Sequence, residues 1–275
     1  MPATVQHWSS ADAARWITPP RDEDDKYSRG VLGFATGSTR YPGAAVIGVD
    51  AALHAGVGMV RYVGPEAVGA LVLQRRPEAV LEAGRAQAWV VGSGTEAGPE
   101  EAFAPRDGMA FVLDAGAIGT APTDLAPTIL TPHAGELARL LGTTRDAVLA
   151  DPVGSAREAS AELGAVVLLK GATTHVVLDD RVAVVRAATP WLATAGAGDS
   201  LAGVLGALVA TRAGRGPIDL DGLVGLGATA AFVHGSAARI AAGGEHDGTG
   251  GGPFTILDLG AALPEAIRRI LREAH

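Results

Sequence analysis

Short apolar runs rich in valine, leucine and isoleucine alternate with alanine-rich stretches along most of the chain. That is the pattern of a mainly parallel central sheet covered by helices on both faces, an α/β architecture. The runs predict strands at Gly30–Thr36, Met59–Val63, Ala88–Val91, Ala110–Leu113, Thr128–Leu130 and Ala165–Lys170, with a hairpin of Val176–Leu178 and Ala183–Arg186 turning at Asp179-Asp180. Helices are expected over Gly43–Ala55, Pro65–Gln74, Ala134–Leu141, Pro152–Leu163, Asp199–Thr211, Asp219–Ala242 and Leu257–Glu273. The uncharged stretch Gly222–Ala238 is interrupted by glycines, Thr229, His234 and Ser236, which suits burial against protein rather than lipid. Gly243–Pro253 holds six glycines and reads as a mobile loop.

Composition narrows the picture. At 275 residues, 48% hydrophobic and 19% charged, the chain is core-forming, and no linker-like stretch divides it, so a single domain is expected. Twenty-two Lys and Arg stand against 30 Asp and Glu, a net charge of −8, and no basic run is long enough to track a phosphate backbone. Nucleic acid is not expected as a partner. The absence of cysteine excludes disulfides, thiolate metal sites and cysteine nucleophiles, so any metal must be held by oxygen or imidazole. Met1–Pro20 lacks a basic start and an apolar core, which argues against a secretory signal and for a cytoplasmic location. No membrane partner is expected.

The most informative segment is Thr189–Gly203, TPWLATAGAGDSLAG, where a glycine-rich turn feeds an apolar helix. Gly196 and Gly198 let successive N–H groups face one point, and the new helix adds a partial positive charge there, which suits a phosphate. Asp199 beside such a site is either a base or metal holder, or an ordinary acidic residue in a first helical turn. A second segment, Ala165–Val176, ends a buried strand in Lys170-Gly171-Ala172-Thr173-Thr174, at the strand end where open α/β sheets bind ligands. In Thr128–Leu141 a strand meets Pro132, and His133 and Glu136 open a helix; His133 reads either as a ligand contact or as a cap. Phe34–Ala45 and Val90–Thr95 add two more glycine-containing turns after strands. A parallel sheet places all five of these strand ends along one edge.

Taken together, these motifs resemble the ADP/ATP-dependent NAD(P)H-hydrate dehydratases of the ribokinase-like superfamily, from about Lys26 to Leu271. The resemblance rests on Gly37-Ser38, Gly43-Ala44-Ala45, Gly56-Val57-Gly58, Gly92-Ser93-Gly94, Asp114-Ala115-Gly116-Ala117, Thr131-Pro132-His133-Ala134-Gly135-Glu136, Lys170–Thr174, Gly196–Asp199 and His234-Gly235-Ser236-Ala237-Ala238. It implies a ribokinase-like domain over residues 26–275 behind an N-terminal extension, residues 1–25, too short for the epimerase domain often fused in front. It implies dehydration of hydrated NADH or NADPH with ADP or ATP as phosphoryl donor and Mg²⁺ on the phosphates, with no metal ligands assignable. Asp199 then orients or deprotonates the hydroxyl, and the turn Gly196, Ala197, Gly198 forms the anion hole. Ala44, Gly94, His133 and Asp199 map to the hydrate, and Lys170, Gly171, Ala172, Thr173, Thr174 and Gly198 to the nucleotide. A homo-oligomer, such as a tetramer, is implied too. Four departures stand out: Gly116 and Gly119 replace polar residues of the pattern, Ser93 replaces a proline, and Asp25-Lys26-Tyr27 replaces a basic motif. A small-molecule kinase of the same superfamily, or a silent adenine-nucleotide-binding protein, are the competing expectations.

Overall fold

The computed structural model describes residues 4–95, 109–119, 126–243 and 251–273, so most of the glycine-rich stretch lies outside the described residues. Nine strands form one sheet: β1 (Thr4–His7), β2 (Val31–Ala35), β3 (Met59–Tyr62), β4 (Ala88–Val91), β5 (Ala110–Leu113), β6 (Thr128–Leu130), β7 (Val166–Leu169), β8 (Thr174–Leu178) and β9 (Arg181–Val185). Their order is β1-β9-β8-β7-β6-β5-β4-β2-β3. All pairings are parallel except those of β8, which runs antiparallel to both β7 and β9. The helices are α1 (Ser10–Ala14), α2 (Pro42–His54), α3 (Glu66–Arg75), α4 (Ala134–Leu140), α5 (Arg145–Ala150), α6 (Pro152–Leu163), α7 (Ala197–Ala213), α8 (Leu220–Ala242) and α9 (Ile256–Glu273).

Alternation along the strands divides the core in two. Leu32, Phe34, Val90, Val112, Ile129 and Leu168 face α2, α7, α8 and α9, while Val31, Trp89, Val91, Phe111, Leu130 and Val167 face α4, α5 and α6. Both faces are covered, which is why the strands read as continuous apolar runs. α8 is the one described helix long and apolar enough to cross a bilayer, and most of it is buried in the protein, against α7, α9 and β8.

Every strand and helix expected from the apolar pattern is present, with ends shifted by up to two residues. β1, α1 and α5 are additional. β1 is exposed at all four residues, so no apolar alternation announces it; backbone pairing with β9 holds it. Residues 4–7 of the expected N-terminal extension therefore complete the edge of the sheet, and α1 packs against α8 and α9. α1 and α5 are short and rest on their caps, Ser9 with Asp12 in one and Thr144 in the other.

α7 runs through the centre of one layer, and its place is set by how closely it approaches α2. A Cβ on Gly203 of α7 would run into the backbone carbonyl of Gly48 on α2, and one on Gly48 would press Phe34. The absence of side chains at both positions brings the two backbones together, and this fixes where the amino end of α7 emerges. Gly203→Ala is expected to cost about 2–3 kcal/mol of stability in chemical denaturation, because backbone rather than a flexible side chain stands in the way. An unchanged midpoint would contradict this packing.

Candidate active site at the carboxyl edge of the sheet

β7, β6, β5, β4 and β2 are consecutive neighbours, so their carboxyl ends present their following residues along one line. Four of those ends are tied to one carboxylate. Asp114, directly after β5, is 3% exposed. It accepts from Ser93 Oγ after β4 at 2.9 Å, from Thr131 Oγ1 after β6 at 2.7 Å and from Lys170 Nζ after β7 at 2.8 Å. Burial works against the Asp114 charge, but Lys170 and the two hydroxyls outweigh it and hold the carboxyl below its ordinary range. Burial likewise opposes the Lys170 ammonium; Asp114 and Glu136, the latter at 3.8 Å, outweigh it and raise its pKa. Losing one partner of such a pair costs about 3–5 kcal/mol, since the other charge is left buried alone.

The amino end of α7 closes the arrangement. Gly196 takes the N-cap position at φ 85°, a left-handed conformation that glycine adopts freely, and no side chain caps the helix. A Cβ on Gly198 would lie 3.3 Å from Lys170 Nζ, so the ammonium sits directly at the first turn. The Ala197 amide reaches the Thr194 carbonyl only at 3.4 Å, so this expected donor is weakly engaged within the chain. The side chain of Asp199, the third helical residue, forms no hydrogen bond or ion pair with any described residue. Burial first, and the Asp114 charge second, push its pKa up to about 6, and Lys170 offsets this only in part. A carboxylate with this environment is poised to accept a proton near neutrality.

His133 is the N-cap of α4. Its Nδ1 accepts from the Gly135 and Glu136 amides at 3.0 and 3.1 Å, while Glu136 Oε2 accepts from the His133 amide at 2.8 Å. The cap reading of this residue holds, and the same ring also borders a cavity. That cavity, of about 650 Å³, is bordered by Lys170, Gly171, Ala172 and Thr174, by Ala197 and Gly198, and by His133. The other expected residues, Thr173, Gly196, Asp199, Ala44 and Gly94, are not in its lining. Ala44 and Gly94 touch each other: a Cβ on Gly94 would overlap that of Ala44. His133, expected with the hydrate residues, borders a cavity that is also lined by most of the residues expected at the nucleotide. A second cavity, about 700 Å³ between α8 and α9, contains none of the expected residues.

In the sequence Asp114, Ser93 and Thr131 stand out only as pieces of motifs, and nothing adjacent to them marks them as the hub. The available signal was an aspartate directly after a four-residue apolar strand, with hydroxyls within two residues of the ends of both neighbouring strands. Gly116 also has a physical reason, since a side chain there would collide with the Thr95 carbonyl.

The sequence pattern of the NAD(P)H-hydrate dehydratase family matches residues 32–249. The chain belongs to that family. Within it, the bifunctional NAD(P)H-hydrate repair enzyme Nnr of Mycobacterium tuberculosis is 45% identical over 72% of this chain and 44% of its own length. The chain spans about half the length of such bifunctional relatives. The ADP-dependent (S)-NAD(P)H-hydrate dehydratase of Neisseria meningitidis is 32% identical over 80% of this chain and 79% of its own. Among solved structures, the ADP/ATP-dependent NAD(P)H-hydrate dehydratase of Bacillus subtilis, co-crystallised with ATP and Mg²⁺, superposes with a TM-score of 0.81 at 25% identity, covering 96% of this chain and 98% of that one. A ribokinase-like protein of Enterococcus faecalis superposes at 0.78 with 18% identity, which speaks to the fold alone. The fold is ribokinase-like, as the family resemblance implies.

The Asp199 environment carries a stability consequence. Its folded pKa of about 6 exceeds its ordinary 3.8, so its favourable contribution is present at low pH and is lost as pH rises through 6. Asp199→Asn is expected to stabilise the protein by about 1–2 kcal/mol at pH 8 and by little at pH 4. Equal effects at the two pH values would show that Asp199 is not held ionised against its surroundings.

Proposed function

We propose that this chain catalyses the nucleotide-dependent dehydration of hydrated NADH and NADPH, a metabolite repair reaction, with ADP or ATP as phosphoryl donor. The observation that carries the reading is an unpaired, proton-accepting carboxylate, Asp199, next to an ammonium and an uncapped helix end that together suit a phosphoryl group. A hydroxyl on the reduced nicotinamide ring is a poor leaving group, and phosphorylation cures that.

Asp199 takes the hydroxyl proton as that oxygen attacks the terminal phosphorus of the nucleotide, and AMP or ADP departs. Lys170 and the first-turn amides of α7, Gly198 foremost, stabilise the charge on the transferred phosphoryl oxygens. The ring nitrogen's lone pair then expels inorganic phosphate, and loss of a proton from the neighbouring carbon restores the double bond. Asp114 keeps the Lys170 ammonium charged and fixed through these steps. Lys170, Gly171, Ala172, Thr173, Thr174 and Gly198 serve the nucleotide, and Ala44, Gly94 and Asp199 the hydrate, with His133 between the two groups.

Mg²⁺ accompanies nucleotides of this kind. Among the described residues no three His, Asp or Glu side chains gather to hold a metal, and Asp114 is already committed to Lys170. The described residues build no metal cage, so the ion would take its ligands from phosphate oxygens and water, as Mg²⁺ commonly does, and no step above passes through it. The reading includes a catalytic unit from Lys26 onward and a cytoplasmic homo-oligomer. It acts on small molecules and not on nucleic acid or membrane, in keeping with a net charge of −8.

Incubation with hydrated NADH, Mg²⁺ and either ADP or ATP is expected to restore the absorbance of the reduced nicotinamide. Accumulation of a phosphorylated product without that recovery would make the protein a small-molecule kinase instead, and binding without turnover a nucleotide sensor. Asp199→Asn should keep nucleotide affinity and lose about 10²–10⁴-fold in kcat; parental kcat in this variant would remove Asp199 from the role of base.

A further inference from the structure

The residues assigned to the hydrate offer it no positive charge. Ala44 and Gly94 are apolar, Asp199 is acidic, and Lys170 is committed to Asp114 and the transferred phosphoryl group. Hydrated NADH nevertheless carries a negatively charged diphosphate, a ribose away from the reacting ring. A cation stands beside this end of the site. Arg40 lies in the loop between β2 and α2, in a turn that the Tyr41 amide closes by donating to the Ser38 carbonyl and to Ser38 Oγ, each at 3.1 Å. The base of the loop is tied to the end of the neighbouring β4, because the Gly37 amide donates to the Ser93 carbonyl at 2.7 Å. Arg40 is therefore carried on a braced turn at the carboxyl edge of the sheet.

Tyr41 links this cation to the hydrate residues. A Cβ on Gly94 would lie 3.3 Å from that of Tyr41 and 2.6 Å from that of Ala44, so the three residues share one patch. From that patch the Tyr41 side chain runs out as a half-exposed ring, and the Arg40 guanidinium lies over it, 5.2 Å from the ring centroid. Stacking of this kind restrains a guanidinium without using its N–H donors. Gly43 stands between Tyr41 and Ala44, and a Cβ there would meet no described atom within 4 Å, so this end of the site is open beside the loop.

We propose that Arg40 is a substrate-binding residue that pairs with the diphosphate of the hydrated dinucleotide, and that Tyr41 is the positioning residue that holds its guanidinium there. A planar guanidinium fits phosphate oxygens as a fork, and such a pair adds affinity for the substrate without touching the reacting ring. The inference rests on the dehydratase reading above, and kinetics on variants separate the two. Turnover of hydrated NADH at saturating ADP and Mg²⁺ is measured for the parent, Arg40→Gln, Arg40→Lys and Tyr41→Leu, together with titration calorimetry on ADP alone. Both side chains are exposed, so each variant is expected to fold, which thermal unfolding checks. Arg40→Gln is expected to raise KM for the hydrate about tenfold while kcat stays near that of the parent. Arg40→Lys keeps the charge and should stay within about threefold, and Tyr41→Leu should raise KM about threefold through loss of the stacking. ADP affinity should not follow these changes. A parental KM in Arg40→Gln, a fall in kcat in place of the rise in KM, or an equal loss of ADP affinity overturns the inference and leaves the proposed function standing. A parent that turns over no hydrate overturns both.

Discussion

The ion pair between Lys170 and Asp114 joins the ends of β7 and β5 across the intervening β6, and the remaining geometry of the site depends on it. Asp114 also takes the hydroxyls of Ser93 and Thr131, so residues following β4, β5, β6 and β7 meet at one buried carboxylate. This makes Lys170 a fixed charge rather than a searching side chain. Its ammonium is aimed at the first turn of α7, where Gly198 is bare enough to admit it. Pairing Lys170 with Asp114 has a second effect, for it leaves Asp199 without a counterion of its own. The hub thus produces a held cation close to an unpaired carboxylate, the pair on which the proposed phosphoryl transfer rests.

That arrangement works against stability locally and is supported from further away. An uncapped helix end, a half-buried carboxylate kept from its partner and Ala115 at φ 44° beside Asp114 are each unfavourable. The two-sided core, the close α2–α7 contact at Gly48 and Gly203, and the many fully buried aliphatic side chains of β2 to β7 supply the surplus that tolerates them. Elsewhere charges are settled conventionally. Asp50 on α2, for instance, accepts from both Arg75 and Arg76 Nε at 2.8 Å, which ties α2 to the end of α3.

Much of the fold was legible because strands buried on both faces leave uninterrupted apolar runs, and AFVL at Ala110–Leu113 or AWVV at Ala88–Val91 allow little else. β1 was not legible, because TVQH is held by backbone pairing to β9 and buries none of its side chains. The glycine turn at Gly196–Asp199 and the Lys170 segment could be read locally, since their features are written in adjacent residues. The hub could not, because its members are 17, 21 and 56 residues from Asp114 and only strand order brings them together.

The central claim is that Lys170 is committed to Asp114 and Asp199 is not neutralised. Selective ¹³C labelling of aspartate carboxyl groups, with Asp199→Asn and Asp114→Asn used to assign the two signals, measures both titrations directly by NMR. The account predicts that Asp199 titrates near pH 6 while Asp114 stays ionised to well below the ordinary aspartate range. An Asp199 that titrates near 4, or an Asp114 that takes up its proton first, would contradict it.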